Sequence, residues 1–500
     1  MNEVEPLSVG RKVADGAKRM VMLRLAERLV GLASFAILAR ILIPEDFGLL
    51  VLATSIVAVI ELFGQAGIDL ALIQRRSAGR DEYDTAWTIN ILIGVGIAAI
   101  VAISARPLAG FMGDGRIEVI LYWLAGASLV GGFSNIGTVE FRKFFDFNKE
   151  FWFRFSIRLI NTAITIALAL LWRDYWALVA GHLAGTVVLV VMSYAMHHFR
   201  PRFSLKAIRS FASFSGWMLA RNILNGMNDH LVNLLVGRQI SVGSLAFFSA
   251  GREIAGMATT ELQAPIRRAL FPGYAALSHD PEALRRNYLE WTAVMTLLTL
   301  PIPAGLALVA PDVVLVLMGA KWLPVVPLLQ ILAFAGILRS LASGAQFLFI
   351  AVGRPQLSVK LATLRFALLI PLVMLGISIA GAAGAAWAML ATAAVMFAVN
   401  VFFVTRTLGL APTGLFGVTH RPVIAVLAMM VAVWSVDAML LPGPEAIGAL
   451  LHLTAAMLTG AAVYVSTLLA IWTLAGRPSG AERHALNALS VRARRLLPTG

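Results

Sequence analysis

The feature that most constrains this chain is a succession of apolar segments, each about as long as a bilayer is thick, separated by short polar breaks. They fall near 20–42, 48–73, 86–105, 117–138, 151–172, 175–196, 210–236, 244–264, 289–310, 325–350, 357–379, 382–405, 422–440 and 447–474. About 20 mainly apolar residues suffice for one crossing. Inside a bilayer only a helix or a closed barrel satisfies its own backbone. The pattern therefore predicts an all-α, polytopic membrane protein with about 14 transmembrane helices. Composition agrees: 59% of residues are hydrophobic and 14% charged, where soluble domains carry roughly 25% charged residues.

The net charge of +14 would suggest nucleic acid in a soluble chain. Here the basic residues occupy the breaks between apolar runs, so their partner is the lipid bilayer and no nucleic acid is implied. With the N-terminus inside, about 27 Lys and Arg fall on inside segments and about five on outside breaks. The outside set is Arg106, Arg116, Arg173, Arg238 and Lys321. The bias repeats from loop to loop, which predicts an even number of helices with both termini cytoplasmic. The polar start lacks a cleavable signal, so the first helix is expected to direct insertion. No outside break has room for an extracellular catalytic domain. The absence of cysteine excludes disulfides and cysteine–metal sites.

Several apolar segments nevertheless carry charges, which are costly at membrane depth and normally face a bundle interior or a cavity. In the first helix Arg24, Glu27 and Arg28 are spaced i, i+3 and i+4, on one face. In the seventh, Arg221, Asn225 and Asp229 recur every fourth residue, beside Asn222, Asn228 and His230. The second adds Glu61 and Asp69, the eighth Arg252, Glu253 and Glu261, the fifth Arg154 and Arg158, the tenth Arg339 and the twelfth Asn400. Arg28 and Arg221 lie too deep to reach the interface and are the leading candidates for a cavity lining. Arg24, Asn225 and Arg252 complete the binding set. Glu27, Glu61, Asp229 and Glu253 are the candidates for ion coupling or charge pairing. Arg24, Arg154, Arg158 and Asp69 lie nearer the inside face, where snorkelling to the interface is a competing role. His182 and His230 are read as satisfied polar groups, since no metal-ligand spacing surrounds them. Trp123, Trp152, Trp172, Trp176, Trp322 and Trp472 are read as interfacial belt residues.

The chain also carries a weak internal repeat. Ala39-Arg40-Ile41-Leu42 with the turn after it matches Gly237-Arg238-Gln239-Ile240 without gaps, 198 positions later. The offset maps residues 24–31 onto 222–229 and places the two polar faces at equivalent depth. The repeat predicts an N-lobe over 1–200 (helices 1–6), a C-lobe over 201–410 (helices 7–12), two further helices over 411–475 and a basic cytoplasmic tail over 476–500. The basic stretch 197–210 is the expected inter-lobe linker. In repeat-built transporters, substrate sites lie near the midplane at the repeat interface. Enzyme motifs are missing: there is no GxxxxGK[ST], GxSxG or HExxH. Gly126–Gly132 and Gly381–Gly384 are expected as small-residue helix contacts. No cofactor and no metal are expected.

The pattern resembles the bacterial polysaccharide transporter family of the multidrug/oligosaccharidyl-lipid/polysaccharide exporter superfamily. The resemblance is carried by the polar-faced first helix and by Leu38-Ala39-Arg40-Ile41-Leu42 with Pro44-Glu45-Asp46-Phe47-Gly48. Glu61-Leu62-Phe63-Gly64 and Gly67-Ile68-Asp69-Leu70-Ala71-Leu72-Ile73-Gln74 extend it, followed by Phe141-Arg142-Lys143 and by Gly237-Arg238 with Gly251-Arg252. It implies two six-helix lobes around a central cavity, plus two C-terminal helices, in the bacterial inner membrane. It further implies a flippase, not an enzyme. By alternating access it would move polyprenyl-diphosphate-linked oligosaccharide from the cytoplasmic to the periplasmic leaflet for exopolysaccharide, capsule or O-antigen assembly. Polysaccharide polymerase and chain-length proteins are the implied partners. Two rivals stand beside it. A cation-coupled multidrug exporter would favour acidic over basic residues in the first helix. A membrane sugar polymerase or ligase would need a larger outside loop.

Overall fold

A computed structural model describes residues 6–64, 67–75, 78–208, 211, 216–277, 279–439, 446–478 and 482–483. Side chains are described from Met22 onward in the first helix, and are not described for 70, 74, 216–222, 224, 225, 260–272, 275, 276, 412 or 446. Among the described residues there is no strand. The chain divides into two compact units, Met1–Ala246 and Phe247–Gly500.

The first unit contains α1 (Pro6–Ile41), α2 (Pro44–Gly64), α3 (Ile68–Gln74), α4 (Arg80–Met112), α5 (Arg116–Gly132), α6 (Val139–Lys143), α7 (Phe147–Trp172), α8 (Trp176–Met196) and α9 (Gly216–Gln239). In chain order α10 (Val242–Ala276) follows, then α11 (Pro281–Thr299), α12 (Pro301–Leu308), α13 (Ala310–Met318), α14 (Val325–Ala342), α15 (Ala345–Ala351), α16 (Pro355–Leu408), α17 (Pro412–Met439) and α18 (Ala446–Leu474). Among the described residues, nine helical stretches are long and apolar enough to cross a membrane, or ten if the bent pair Arg116–Gly132 and Ile136–Lys143 is one span. The protein is a multi-pass helical membrane protein. The count of about fourteen further requires α1, α9 and α10, which carry charged stripes, and a division of α16 into two.

That division is visible in the backbone. Ala380 (φ −140°) and Gly381 (φ 56°) leave helical geometry in the middle of α16. The left-handed φ at Gly381 suits glycine. The Gly376 and Gly384 backbones then touch, so closely that a Cβ on either would collide with the other's carbonyl. Residues eight apart in a continuous helix would stand about 12 Å apart. The windows 357–379 and 382–405 are therefore the two arms of a hairpin.

The repeat register appears in the helix boundaries. α1 ends at Ile41 and α2 begins at Pro44, while α9 ends at Gln239 and α10 begins at Val242. The two turns also meet. Gly48 lies on the Val242 carbonyl, and a Cβ on Gly243 would stand 3.0 Å from Glu45 Oε1. α9 packs along α2, where Asn233 Nδ2 donates to Ser55 Oγ at 2.9 Å. A Cβ on Gly237 would meet Leu52 at 2.8 Å. Packing thus joins α9 to the first unit, whereas the repeat groups it with the helices after residue 200; the two partitions answer different questions.

Elsewhere in the first unit glycines let helices approach. A Cβ on Gly94 of α4 would stand 2.9 Å from the Ser128 carbonyl oxygen of α5. The expected linker is an ordered strap over 197–208. Its backbone amides donate to side chains in the first turns of α4: Arg202 to Asp84 Oδ1 at 2.9 Å, Ser204 to Thr88 Oγ1 at 3.0 Å and Ala207 to Thr85 Oγ1 at 3.2 Å. Asn135 Nδ2 donates to the Phe199 carbonyl at 2.8 Å, and Trp87 lies against Phe203. The Thr and Asp side chains supply acceptors that an extended segment without a sheet partner would otherwise lack.

In the second unit, α11, α12, α17 and α18 share an apolar core around Leu297, Ala304, Ala425, Met429 and Ala456. An ionic cluster ties α13, α17 and α18 together. His452 Nδ1 lies 2.8 Å from Asp312 Oδ2, and Nε2 lies 3.2 Å from Asp437 Oδ1. Trp322 departs from expectation. It is fully buried against Phe247, a core residue rather than a belt residue, because the 3₁₀ turn after α13 folds it inward. Trp472 is also buried, donating to the Pro478 carbonyl at 3.0 Å, while Trp123, Trp152 and Trp172 stay about half exposed.

Candidate functional site

The first unit holds a cavity of about 470 Å³ among α2, α4, α5, α8 and α9. Its walls are mostly small or apolar: Val57, Ala58, Ile93, Gly94, Ile97, Leu124, Ala127, Gly131 and Gly132. Into this surface project Thr54, Glu61, Asn90, Ser128, Ser134, His182, Thr186 and His230. The glycines that draw α4 against α5 also shape the space. Ser128 Oγ donates to Glu61 Oε1 at 3.2 Å, fixing one carboxylate oxygen. A carboxylate and two imidazoles within an apolar wall can hold a proton or a small cation. No Lys or Arg is among the described residues lining the cavity.

Glu61, a coupling candidate from the sequence, thus has a cavity around it. His182 and His230, read from the sequence as satisfied polar groups, share that cavity; their positions on α8 and α9 gave no sign of it. Asn90 and Ser128 were missed because single polar residues in apolar runs carry no spacing signal.

The basic stripe lies elsewhere. Arg24, Glu27 and Arg28 are half-buried along α1. Among the described residues no ion pair joins Glu27 to Arg24. Arg221 and Asn225 belong to α9, but their side chains lie outside the described residues. Asn228 is buried and Asp229 exposed on the same helix. On α10, in the second unit, Arg252 is half-buried and Glu253 exposed, and the Glu261 side chain lies outside the described residues. Asp69 accepts from Arg142 Nη2 at 2.8 Å, and Arg154 pairs with Glu150. Asn400 Nδ2 donates to its own helix at the Met396 carbonyl, 2.7 Å away. A second cavity, about 400 Å³, lies among Trp123, Trp172, Trp176 and Asp174.

Membrane-length helices with ionisable groups held among them define a polytopic transporter-type membrane protein. The family described as polysaccharide biosynthesis protein matches residues 37–327, and the chain belongs to that family. The chain is 26% identical over 382 residues to lipopolysaccharide biosynthesis protein WzxC of Escherichia coli (strain K12), covering 76% of this chain and 78% of that one. It is 27% identical over 304 residues to succinoglycan biosynthesis transport protein ExoT of Rhizobium meliloti (strain 1021), covering 60% and 61%. Among solved structures, lipid II flippase MurJ in an inward closed conformation superimposes with a TM-score of 0.70 at 13% identity, covering 91% of this chain and 99% of that one. That likeness shows a shared fold.

Proposed function

We propose that this chain is a flippase that carries polyprenyl-diphosphate-linked oligosaccharide from the cytoplasmic to the periplasmic leaflet of the inner membrane, by alternating access between two six-helix lobes. The observation that carries the reading is the charged stripe of α1, Arg24–Glu27–Arg28, in a chain of the polysaccharide biosynthesis family. A diphosphate needs forked cationic donors, which arginine supplies, and Arg28 with Arg221 are assigned that role. Asn225 and Arg252 extend the set, while Asp229 and Glu253 balance charge. With no nucleotide motif, the drive comes from an ion gradient, the membrane potential or consumption of product. The Glu61–His182–His230 cavity supports proton or cation coupling on the N-terminal side. Both termini are cytoplasmic, and a polymerase and chain-length proteins act on the delivered units.

The test is genetic and chemical. Loss of the gene accumulates lipid-linked repeat units on the cytoplasmic side; polymer export that proceeds unchanged rejects the reading. Arg28→Ala and Arg221→Ala each abolish export with protein still in the membrane, and Glu61→Gln slows export while leaving substrate binding intact. A cation-coupled multidrug exporter would instead lose cationic-drug efflux in the Glu61 variant and tolerate loss of Arg28.

A further inference from the structure

Arg158 lies near the middle of α7, about 16 Å of helix rise from its first residue. Its neighbours toward the inside end are neutralised: Arg154 by Glu150, and Arg142 by Asp69 at 2.8 Å. Among the described residues no carboxylate pairs with Arg158. Its guanidinium rests instead on Gly31 of α1, where an added Cβ would stand 2.6 Å from Nη2. Gly31 follows Glu27 by four positions and Arg28 by three, so it shares their face of α1. The seam between α1 and α7 therefore carries the α1 stripe on one side and an unneutralised guanidinium on the other. The Arg158 side chain remains open to approach. An arginine within a membrane helix is costly and normally faces a bundle interior or a cavity.

We propose that the α1–α7 seam is an anion subsite for the diphosphate of the carried lipid, with Arg158 supplying forked donors and Gly31 the room they occupy. This rests on the flippase reading and adds α7 to it. A phospholipid phosphate offers the same chemistry. The carrier diphosphate is favoured because the seam gathers Arg158 with the stripe of Arg24 and Arg28, more cationic donors than one phosphodiester uses.

The full chain in neutral phosphatidylcholine nanodiscs is titrated with farnesyl diphosphate by calorimetry. Arg158→Gln weakens binding about tenfold or more, as loss of a charge-assisted donor pair requires. Arg158→Lys, which keeps charge without the fork, falls between. Gly31→Ala keeps every charge yet displaces the guanidinium, and weakens binding several-fold; a role confined to net charge leaves it unchanged. Arg106→Gln, on the outside, binds as wild type. If Arg158→Gln and Gly31→Ala bind normally while Arg28→Ala does not, the α7 subsite is wrong and the flippase reading stands. If wild type fails to bind, or Arg28→Ala also binds normally, both fall. If phosphatidylglycerol in the nanodisc displaces farnesyl diphosphate from wild type, the seam is a phospholipid headgroup site and the carrier assignment is overturned. Should Arg158→Gln fail to fold, Arg158→Lys and Gly31→Ala carry the test alone.

Discussion

Gly48 is the residue where the two repeat-related turns meet backbone to backbone, against the Val242 carbonyl. A carbonyl fixed in a helix start cannot swing aside as a side-chain tip can. Gly48→Ala is therefore expected to cost about 1–3 kcal/mol, the usual penalty of overpacking. It should lower the thermal midpoint of the purified protein in detergent, followed by tryptophan fluorescence, and a wild-type midpoint would reject the contact. At this scale the sequence was only partly readable. Arg28 and Glu61 stood out because charge is rare in an apolar run. Gly31 under Arg158 did not, since a glycine in a membrane helix has many uses. Asp312 and His452 pair at 2.8 Å across 140 positions, and no spacing rule links them. Trp322 was misjudged because a tryptophan beside a polar break looks the same whether it faces lipid or core.

Among the elements, the strap over 197–208 is the clearest departure from what its composition suggests. Its basic residues mark a linker, yet its amides are occupied by Asp84, Thr85 and Thr88 of α4. Asp84 is buried and also holds Arg80 at 3.5 Å. Asp84→Ala should release the segment, leaving buried donors unpaired at about 1–3 kcal/mol. Limited trypsin digestion of inside-out vesicles should then cut at Arg200, Arg202 or Lys206 several times faster than in wild type, an outcome that tests the strap without reference to transport. Helix positions were legible because apolar windows of membrane length leave few alternatives. The repeat was legible too, through one short turn, and its 198-residue offset recurs in the α1/α2 and α9/α10 boundaries. Which helices pack together was not legible: α9 belongs with α2 by contacts such as Asn233–Ser55, and apolar surfaces do not name their partners.

For the whole molecule, orientation is the expectation drawn from charge bias, and the chain offers a clean way to measure it. It contains no cysteine, so any single introduced thiol is the only one to label. Lys206→Cys and Arg173→Cys replace exposed residues on opposite expected sides. In intact cells a membrane-impermeant maleimide should label position 173 at once and position 206 only after permeabilisation; the reverse pattern would invert the topology. Family membership was legible from motifs concentrated in the first 150 residues, and the match over residues 37–327 extends well beyond them. A diphosphate subsite of the kind proposed would read only the part of the substrate that all such carriers share, so these features do not specify the sugar.

The hairpin within α16 has a consequence for how the chain enters the membrane during synthesis. Only Ala380 and Gly381 separate its two arms, so no polar loop has to be pulled through the lipid core. With Gly376 seated on Gly384, the arms can pair before either is released laterally and partition together. The insertion machinery then handles one preassembled object where the hydropathy pattern counts two.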